Sequence, residues 1–249
     1  MLVALMYHRI GYGKRSNSVE RIKEHFKFLK QNYRIVKPGQ SLEKASLNVL
    51  LSFDDASFDF YYYVYPLLKK YRIPALLAVP VKYILEKSEI LPEKRLCLFE
   101  DEAMQNYQRS APFCTWEEIQ EMQESSYVEI ASHGFSHCNL SNNKPLLKQE
   151  ISVSKAILEA RLQKDIHCFV YPYGKYNQEI EQKVKKEYRY SFRIGSCLNF
   201  SWKSEHGPLC RLPADAMQNK KGPLSTGPLF RAYTKTYLKS FFAKARVFA

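Results

Sequence analysis

Short apolar runs of strand length recur along this chain, and longer segments with apolar residues every three or four positions separate them. Met1–Tyr7, Val49–Phe53, Ala75–Val79, Val128–Ala131, Cys168–Tyr171 and Ser191–Ile194 read as buried strands. Between them, helices are predicted over Val19–Asn32, Phe58–Tyr71, Thr115 to about Glu124, Pro145–Leu162 and Gln178–Glu187. Thr115 followed by Glu118 forms a capping-box start, and Pro74 ends the second helix. Strands that keep returning through helices must run parallel, so a parallel sheet or barrel is expected. In such folds chemistry collects on the loops after the C-terminal strand ends.

The 249 residues, 45% hydrophobic and 14% aromatic, suit one large α/β barrel with a substantial core. Residues 1–228 read as the barrel, and the polar, proline-punctuated stretch 85–113 as an insertion over one face. The start, MLVALMYHRIG, lacks a basic flank and a small-residue cleavage site. No apolar stretch approaches the ~20 residues that span a bilayer. Both point to the cytoplasm, with the inner membrane face as a peripheral location. Cys97, Cys114, Cys138, Cys168, Cys197 and Cys210 form no CxxC pair, so reduced, packed thiols are expected. The net charge of +13 attracts polyanions, whether nucleic acid, anionic lipid or phosphorylated substrate.

The stretch LLSFDDASFDF drives an apolar run into two adjacent acids, Asp54 and Asp55, with no Lys or Arg close in sequence. A second stretch, ASHGFSH, puts His133 and His137 four apart just after another strand. That spacing alone is weak, since a packed or solvated pair produces it too. Together, two histidines and one carboxylate make a zinc ligand set that leaves a position open for water. A divalent cation would also offset the repulsion of the two acids. The remaining carboxylate is then available as a base toward water.

FDD with its apolar lead-in, ASHGFSH and FVYPYG, in that order and each after a strand, resemble the first three motifs of the polysaccharide deacetylase (NodB-homology) family. The resemblance runs from about Leu2 to Pro213, with YPLLKKYRIPA and TWEEI in supporting places. It implies a distorted (β/α)7 barrel and hydrolysis of an N-acetyl or similar N-acyl group on an amino sugar. Asp54 would be the general base, while Asp55, His133 and His137 would hold the metal. Zinc is the first choice, and cobalt, nickel and iron also accept this set. The backbone N–H of Tyr173 would help hold the oxyanion, and Tyr171 and Pro172 would shape the substrate wall.

The family's acid histidine, from an LxxH motif near the C-terminal end, has no match after Tyr173. His206 lies in a polar Gly-Pro loop, SEHGPL, without that context. Leu5-Met6-Tyr7-His8 does fit, which resembles the circularly permuted branch typified by poly-N-acetylglucosamine deacetylases. There the first strand supplies the acid, so the resemblance implies that role for His8, set against a structural histidine at a strand end. Closing the barrel would bring the first strand beside the last. Many members carry an arginine two residues before the third motif's proline; here Val170 stands there. Arg211, in CRLPAD, is the candidate to orient the base and line the substrate site, with Asp215 as the fourth-motif acid, against a plain surface ion pair.

From Leu229 the chain reads as a basic amphipathic helix. Phe230, Tyr233, Tyr237, Phe241, Ala245 and Phe248 lie three or four apart. Arg231, Lys235, Lys239, Lys244 and Arg246 share the remaining surface. Such a helix either packs on the barrel or lies in an anionic membrane interface. Three functional readings stand at this level: a deacetylase on an N-acetylated glycan or lipid-linked sugar, a catalytically inactive deacetylase-like binding module, and a basic nucleic-acid-binding protein. The last has no recognition motif and leaves Asp54–Asp55 unexplained, so no nucleic acid partner is expected. Oligomeric state has no sequence signal.

Overall fold

The computed structural model describes residues 1–245 apart from 12, 14, 15, 97–99, 143 and 204–206, and omits the side chains of 100, 101, 144 and 238–245. His206 and the end of the predicted tail helix, 246–249, lie outside the described residues.

The predicted alternation becomes a closed parallel barrel. Its strands are β1 (Leu2–Tyr7), β3 (Asn48–Phe53), β4 (Ala75–Val79), β5 (Val128–Ser132), β6 (Cys168–Val170), β7 (Tyr190–Ile194) and β8 (Leu209–Pro213). Neighbours pair in that order, and β1 closes the ring by pairing β8 on one side and β3 on the other. The short β2 (Arg34–Ile35) pairs β3 at Asn48 and Val49, whereas β4 meets β3 only at Ser52 and Phe53. The seam beside β3 is thus shared between two strands, which distorts the barrel.

Strand periodicity sorts each side chain to one of two cores. Leu2, Ala4, Leu50, Ala131, Val170 and Leu209 fill the barrel interior. Val3, Leu5, Leu51, Phe53, Phe169 and Leu212 face outward into a larger core beneath the helices. The same period carries Asp54, His133 and Arg211 to the inner side at the mouth, and Tyr7 and Tyr171 to the outer side.

The outer layer holds α1 (Val19–Asn32), α2 (Tyr65–Tyr71), α6 (Trp116–Glu124), α7 (Ser154–Leu162), α8 (Gln178–Glu187) and α9 (Thr226–Ala245). Ser18 caps α1 through Arg21 N–H, and the Thr115–Glu118 capping box opens α6; such caps are worth about 1 kcal/mol each. Two of the predicted helices, 58–71 and 145–162, contain a π-helical segment, Phe60–Val64 before α2 and Gln149–Val153 before α7. Wider π turns shift which residues face inward, and both lie behind loops of the mouth.

Among its described residues the stretch 85–113 forms three short helices, α3 (Pro92–Arg95), α4 (Glu100–Gln105) and α5 (Tyr107–Ser110). Arg95 is buried and clamps it: Nε donates to Ala111 O at 2.8 Å, Nη2 to Phe113 O at 2.9 Å, and both Nη atoms to Glu118. Phe58 N–H donates to Pro112 O and Cys114 N–H to Ala56 O, so the end of this stretch braces the loop that follows Asp55.

One expectation is corrected. Cys197 and Cys210 are joined in a disulfide, with Cα atoms 5.7 Å apart, while Cys114, Cys138 and Cys168 are free. Their sequence separation of 13 gave no sign of this; the crossover from β7 to β8 folds back along the barrel and sets them side by side.

Candidate active site

Asp54 and Asp55 follow β3 at the mouth. Asp55 and Ala56 both take left-handed conformations, with φ of 70° and 49°. Such residues are strained without a glycine, and strain of this kind concentrates at functional sites. The turn sends successive carboxylates in different directions. Asp54 keeps the inward side of β3, and Asp55 crosses toward the loop after β5.

That loop carries the histidines. His133 Nδ1–H donates to Val170 O at 2.8 Å, leaving the Nε2 lone pair aimed at Asp55. His133 Nε2 lies 3.5 Å and His137 Nε2 3.3 Å from the same oxygen, Asp55 Oδ1. That oxygen is buried and accepts no hydrogen bond from any described residue. The three donor atoms all lie within 4.8 Å of one another. Ligands bonded at about 2.0–2.2 Å in a tetrahedron stand roughly 3.3–3.6 Å apart. The Asp55–His133 and Asp55–His137 separations are of that size, so each histidine stands at ligand spacing from that oxygen, and two imidazoles with one carboxylate are a donor set that suits a tetrahedral cation. Burial holds His133 down to about 4 against the opposing pull of Asp54 and Asp55, which keeps its imidazole neutral, the form that binds metals.

Glu150, buried in the π segment before α7, holds this loop in shape. Its carboxylate accepts from Phe135 N–H at 2.8 Å, Ser136 N–H at 3.1 Å and Ser136 Oγ at 2.5 Å. Gly134 has φ +79°, and a Cβ there would stand 2.5 Å from Glu150 Oε2, so only glycine fits.

Beside the metal-type cluster lies a buried chain of charges. Arg211 is fully buried and grips Asp54 with two bonds, Nη1 to Oδ1 at 2.5 Å and Nη2 to Oδ2 at 2.8 Å. Burial would raise the Asp54 carboxyl, but Arg211, then His133 and His8, hold it well below the usual carboxylate range. His8 Nε2 stands 3.8 Å from Asp54 Oδ2. On its other side His8 Nδ1 bonds Asp215 Oδ2 at 2.6 Å, and its backbone N–H donates to Asp215 Oδ1 at 2.9 Å. Burial pushes the His8 imidazole down, yet the Asp215 hydrogen bond and the charges of Asp54, Asp55 and Asp215 outweigh it and raise it to about 10. At neutral pH His8 is therefore an imidazolium facing an ionised carboxylate.

The third motif lies next to the histidines. Tyr173, 55% exposed and left-handed at φ 57°, sets its ring 4.8 Å from that of His137. Pro172 is buried. Tyr171 does not line the mouth: the strand period turns it outward, where its hydroxyl donates to Glu181 at 2.6 Å beneath α8. Arg211 likewise has no exposed surface, and among the described residues its hydrogen bonds reach only Asp54 and Ser52. Its place is beneath Asp54.

Glu150 escaped the sequence reading. A signal existed: Leu147, Ile151 and Leu158 mark the inner face of that helix, and a carboxylate at 150 interrupts it. Asp59 was also passed over; it accepts from Arg9 Nε at 2.8 Å and Ile10 N–H at 2.9 Å, anchoring the chain after His8.

Known proteins resemble this chain in sequence and in fold. The chain is 27% identical over 195 residues to YxkH of Bacillus subtilis, provisionally named a polysaccharide deacetylase. It is 26% identical over 225 residues to the poly-beta-1,6-N-acetyl-D-glucosamine N-deacetylase of Escherichia coli K12. Each match covers 74% of this chain, but the chain spans only 61% of the first relative and 32% of the second. Among solved structures, the Streptococcus pyogenes deacetylase PplD superposes with a TM-score of 0.72 at 20% identity, covering 90% of this chain and 97% of that one. IcaB from Ammonifex degensii gives 0.68 at 21%, covering 85% and 91%. These likenesses establish the seven-stranded barrel fold. A family model described as "Polysaccharide deacetylase" matches residues 43–191, more than half of the chain. The chain belongs to the polysaccharide deacetylase family.

Proposed function

We propose that the protein is a metal-dependent hydrolase that removes an N-acetyl or similar N-acyl group from an amino sugar of a glycan. The observation that carries this reading is the convergence of Asp55 Oδ1, His133 Nε2 and His137 Nε2 beside an ionised Asp54 and a protonated His8. Asp55, His133 and His137 would hold a divalent ion, zinc by preference, with cobalt, nickel or iron acceptable to the same donors. Once bound, the ion would polarise the amide carbonyl and make water acidic enough to attack near neutral pH.

The chain's own residues do the rest. Asp54 takes a proton from the attacking water, and Arg211 keeps that carboxylate ionised and fixed in direction. The backbone N–H of Tyr173 is assigned to the oxyanion. His8, held through Nδ1 by Asp215, gives the proton on Nε2 to the sugar nitrogen. The C–N bond then breaks to leave a free amine and a carboxylic acid. Without that proton the leaving group would be an amide anion, which is too basic to depart.

The Escherichia coli relatives' name supports an N-acetylglucosamine polymer as substrate. The disulfide supports it too, because disulfides persist in oxidising compartments, where a finished polysaccharide is available and a cytoplasmic lipid-linked precursor is not. The test is amine release from N-acetylated oligosaccharides by chelated protein and by protein reloaded with each metal. Activity should vanish on chelation and return on reloading. Equal turnover by the chelated form, or no amine from any reloaded form, would overturn the assignment.

A further inference from the structure

Helix α9 packs on the barrel with its smaller residues and turns its aromatic ones outward. Ala232 and Thr236 are buried, Leu229 is half-buried, and Leu198 N–H donates to Thr236 Oγ1 at 2.8 Å. Phe230, Tyr233 and Tyr237 instead stand 65%, 42% and 47% exposed. The Tyr233 and Tyr237 rings lie 4.6 Å apart. Phe200, from the β7–β8 crossover and 51% exposed, meets Tyr237 at 5.7 Å. Phe230 sits one turn before Tyr233. Packing on the barrel therefore does not account for the aromatic face.

At about 100° per residue, these rings occupy one flank of the helix's outward arc. Arg231 and Lys235, both exposed, occupy the other flank. No Asp or Glu follows Asp215 in the chain, whereas Arg231, Lys235, Lys239, Lys244 and Arg246 do. The outward face thus combines aromatic area with uncompensated positive charge. An acidic partner protein would match the charge but not the open row of rings. Tyrosines with their hydroxyls at one edge suit the headgroup level of a bilayer, and lysine and arginine suit its anionic lipids.

We infer that the outward face of α9, with Phe200, docks on an anionic lipid surface. The helix lies in the interface plane: among the described residues no helix is long and apolar enough to cross a membrane. Contact through a rigidly packed helix would hold the barrel at a fixed orientation to the lipid. The inference is independent of the deacetylase reading, and its test does not use activity.

The experiment is vesicle flotation of the full chain with phosphatidylcholine alone and with phosphatidylcholine plus phosphatidylglycerol. Wild type should float only with the anionic vesicles, and less as salt rises. A Phe230→Ser/Tyr233→Ser/Tyr237→Ser variant should lose roughly tenfold or more in partitioning at every salt concentration. Arg231→Gln/Lys235→Gln should lose about fivefold per charge at low salt and little at high salt. Because all five side chains are exposed, circular dichroism and melting should be unchanged, which separates docking from misfolding. No flotation of wild type would overturn the inference, as would flotation of the aromatic variant equal to wild type. Self-association abolished by the aromatic variant, with no vesicle binding, would assign the face to a second copy of the chain and also overturn it.

Discussion

Adjacent residues at the end of β1 lead into opposite environments. Tyr7 turns outward and donates its hydroxyl to His25 Nε2 at 2.7 Å, while His8 turns into the mouth. Both imidazoles are withdrawn from water, and burial pushes both toward neutrality. On the buried face of α1, His25 meets only neutral partners among the described residues, the Tyr7 hydroxyl and Lys220 O, to which Nδ1–H donates at 2.6 Å. Burial wins there, and its pKa drops to about 4. In the mouth, Asp215, Asp54 and Asp55 overcome the same penalty and raise His8 to about 10. Burial alone therefore does not set a histidine's charge: His133 faces two carboxylates and still stays low, whereas the direct hydrogen bond between the His8 ring and Asp215 tips the balance there. One ring is a core residue with every polar atom matched. The other is charged and half-buried, bonded to Asp215 and facing Asp54.

The largest expected effect tests the mouth directly. His8→Ala and Asp54→Asn should each lower turnover by about 10²–10⁴ while a metal assay finds the bound ion unchanged. His25→Phe, by contrast, should leave turnover per folded molecule intact. Normal turnover by His8→Ala would erase the distinction drawn here.

Next is the pairing of Asp54 with Arg211. Arg211→Met leaves Asp54 buried without its cation, and breaking such a pair costs about 3–5 kcal/mol. Urea denaturation would read this, and the loss should shrink below pH 5 as Asp54 protonates. A loss of under about 1 kcal/mol would mean that the pair behaves like a surface ion pair.

The two histidines also predict opposite limbs of stability against pH. His25 has its folded pKa lowered from 6.5 to about 4, so its contribution is complete above 6.5 and is lost as pH falls toward 4. That amounts to about 3 kcal/mol at roughly 1.4 kcal/mol per pH unit. His8 is raised to about 10, so its contribution is complete below 6.5 and is lost as pH climbs toward 10. In the chelated protein, His25→Phe should flatten the acid limb and His8→Gln the alkaline one. The same limb flattened by both variants would break the comparison.

The smallest effect concerns the loop that carries His133 and His137. Glu150→Gln keeps its shape but weakens the charge-assisted bonds to Phe135 and Ser136. Such outer supports typically contribute about 10–100-fold to metal affinity, measurable by competition with a chelator. Unchanged affinity alongside a lowered melting temperature would make Glu150 purely structural.

Much of the barrel was legible because its strands are short apolar runs with a strict period of two. The parity of β3 alone places Leu50, Ser52 and Asp54 on one side and Leu51 and Phe53 on the other. Applied to β6, the same parity would have put Tyr171 outside, facing α8, rather than on the substrate wall. The β7–β8 crossover was illegible: it has no periodicity, and it brings Cys197 to Cys210 and Asn199 to Leu2 by tertiary folding. Which face of α9 meets the barrel was likewise not legible. Aromatic spacing suggests a stripe, but a crowded site against the barrel accepts Ala232 and Thr236 and leaves the rings outside.

By itself the sequence determined the alternation of elements, the strand faces and the donor types at the mouth, since these follow from local periodicity and side-chain chemistry. Only the tertiary structure decided which charges meet. Asp54 finds Arg211, 157 positions away, and His8 finds Asp215, 207 positions away, because β1 joins β3 to β8 and closes the ring. Electrostatic energy depends on distance through space and on exclusion of water, and neither can be read along the chain until the barrel is closed.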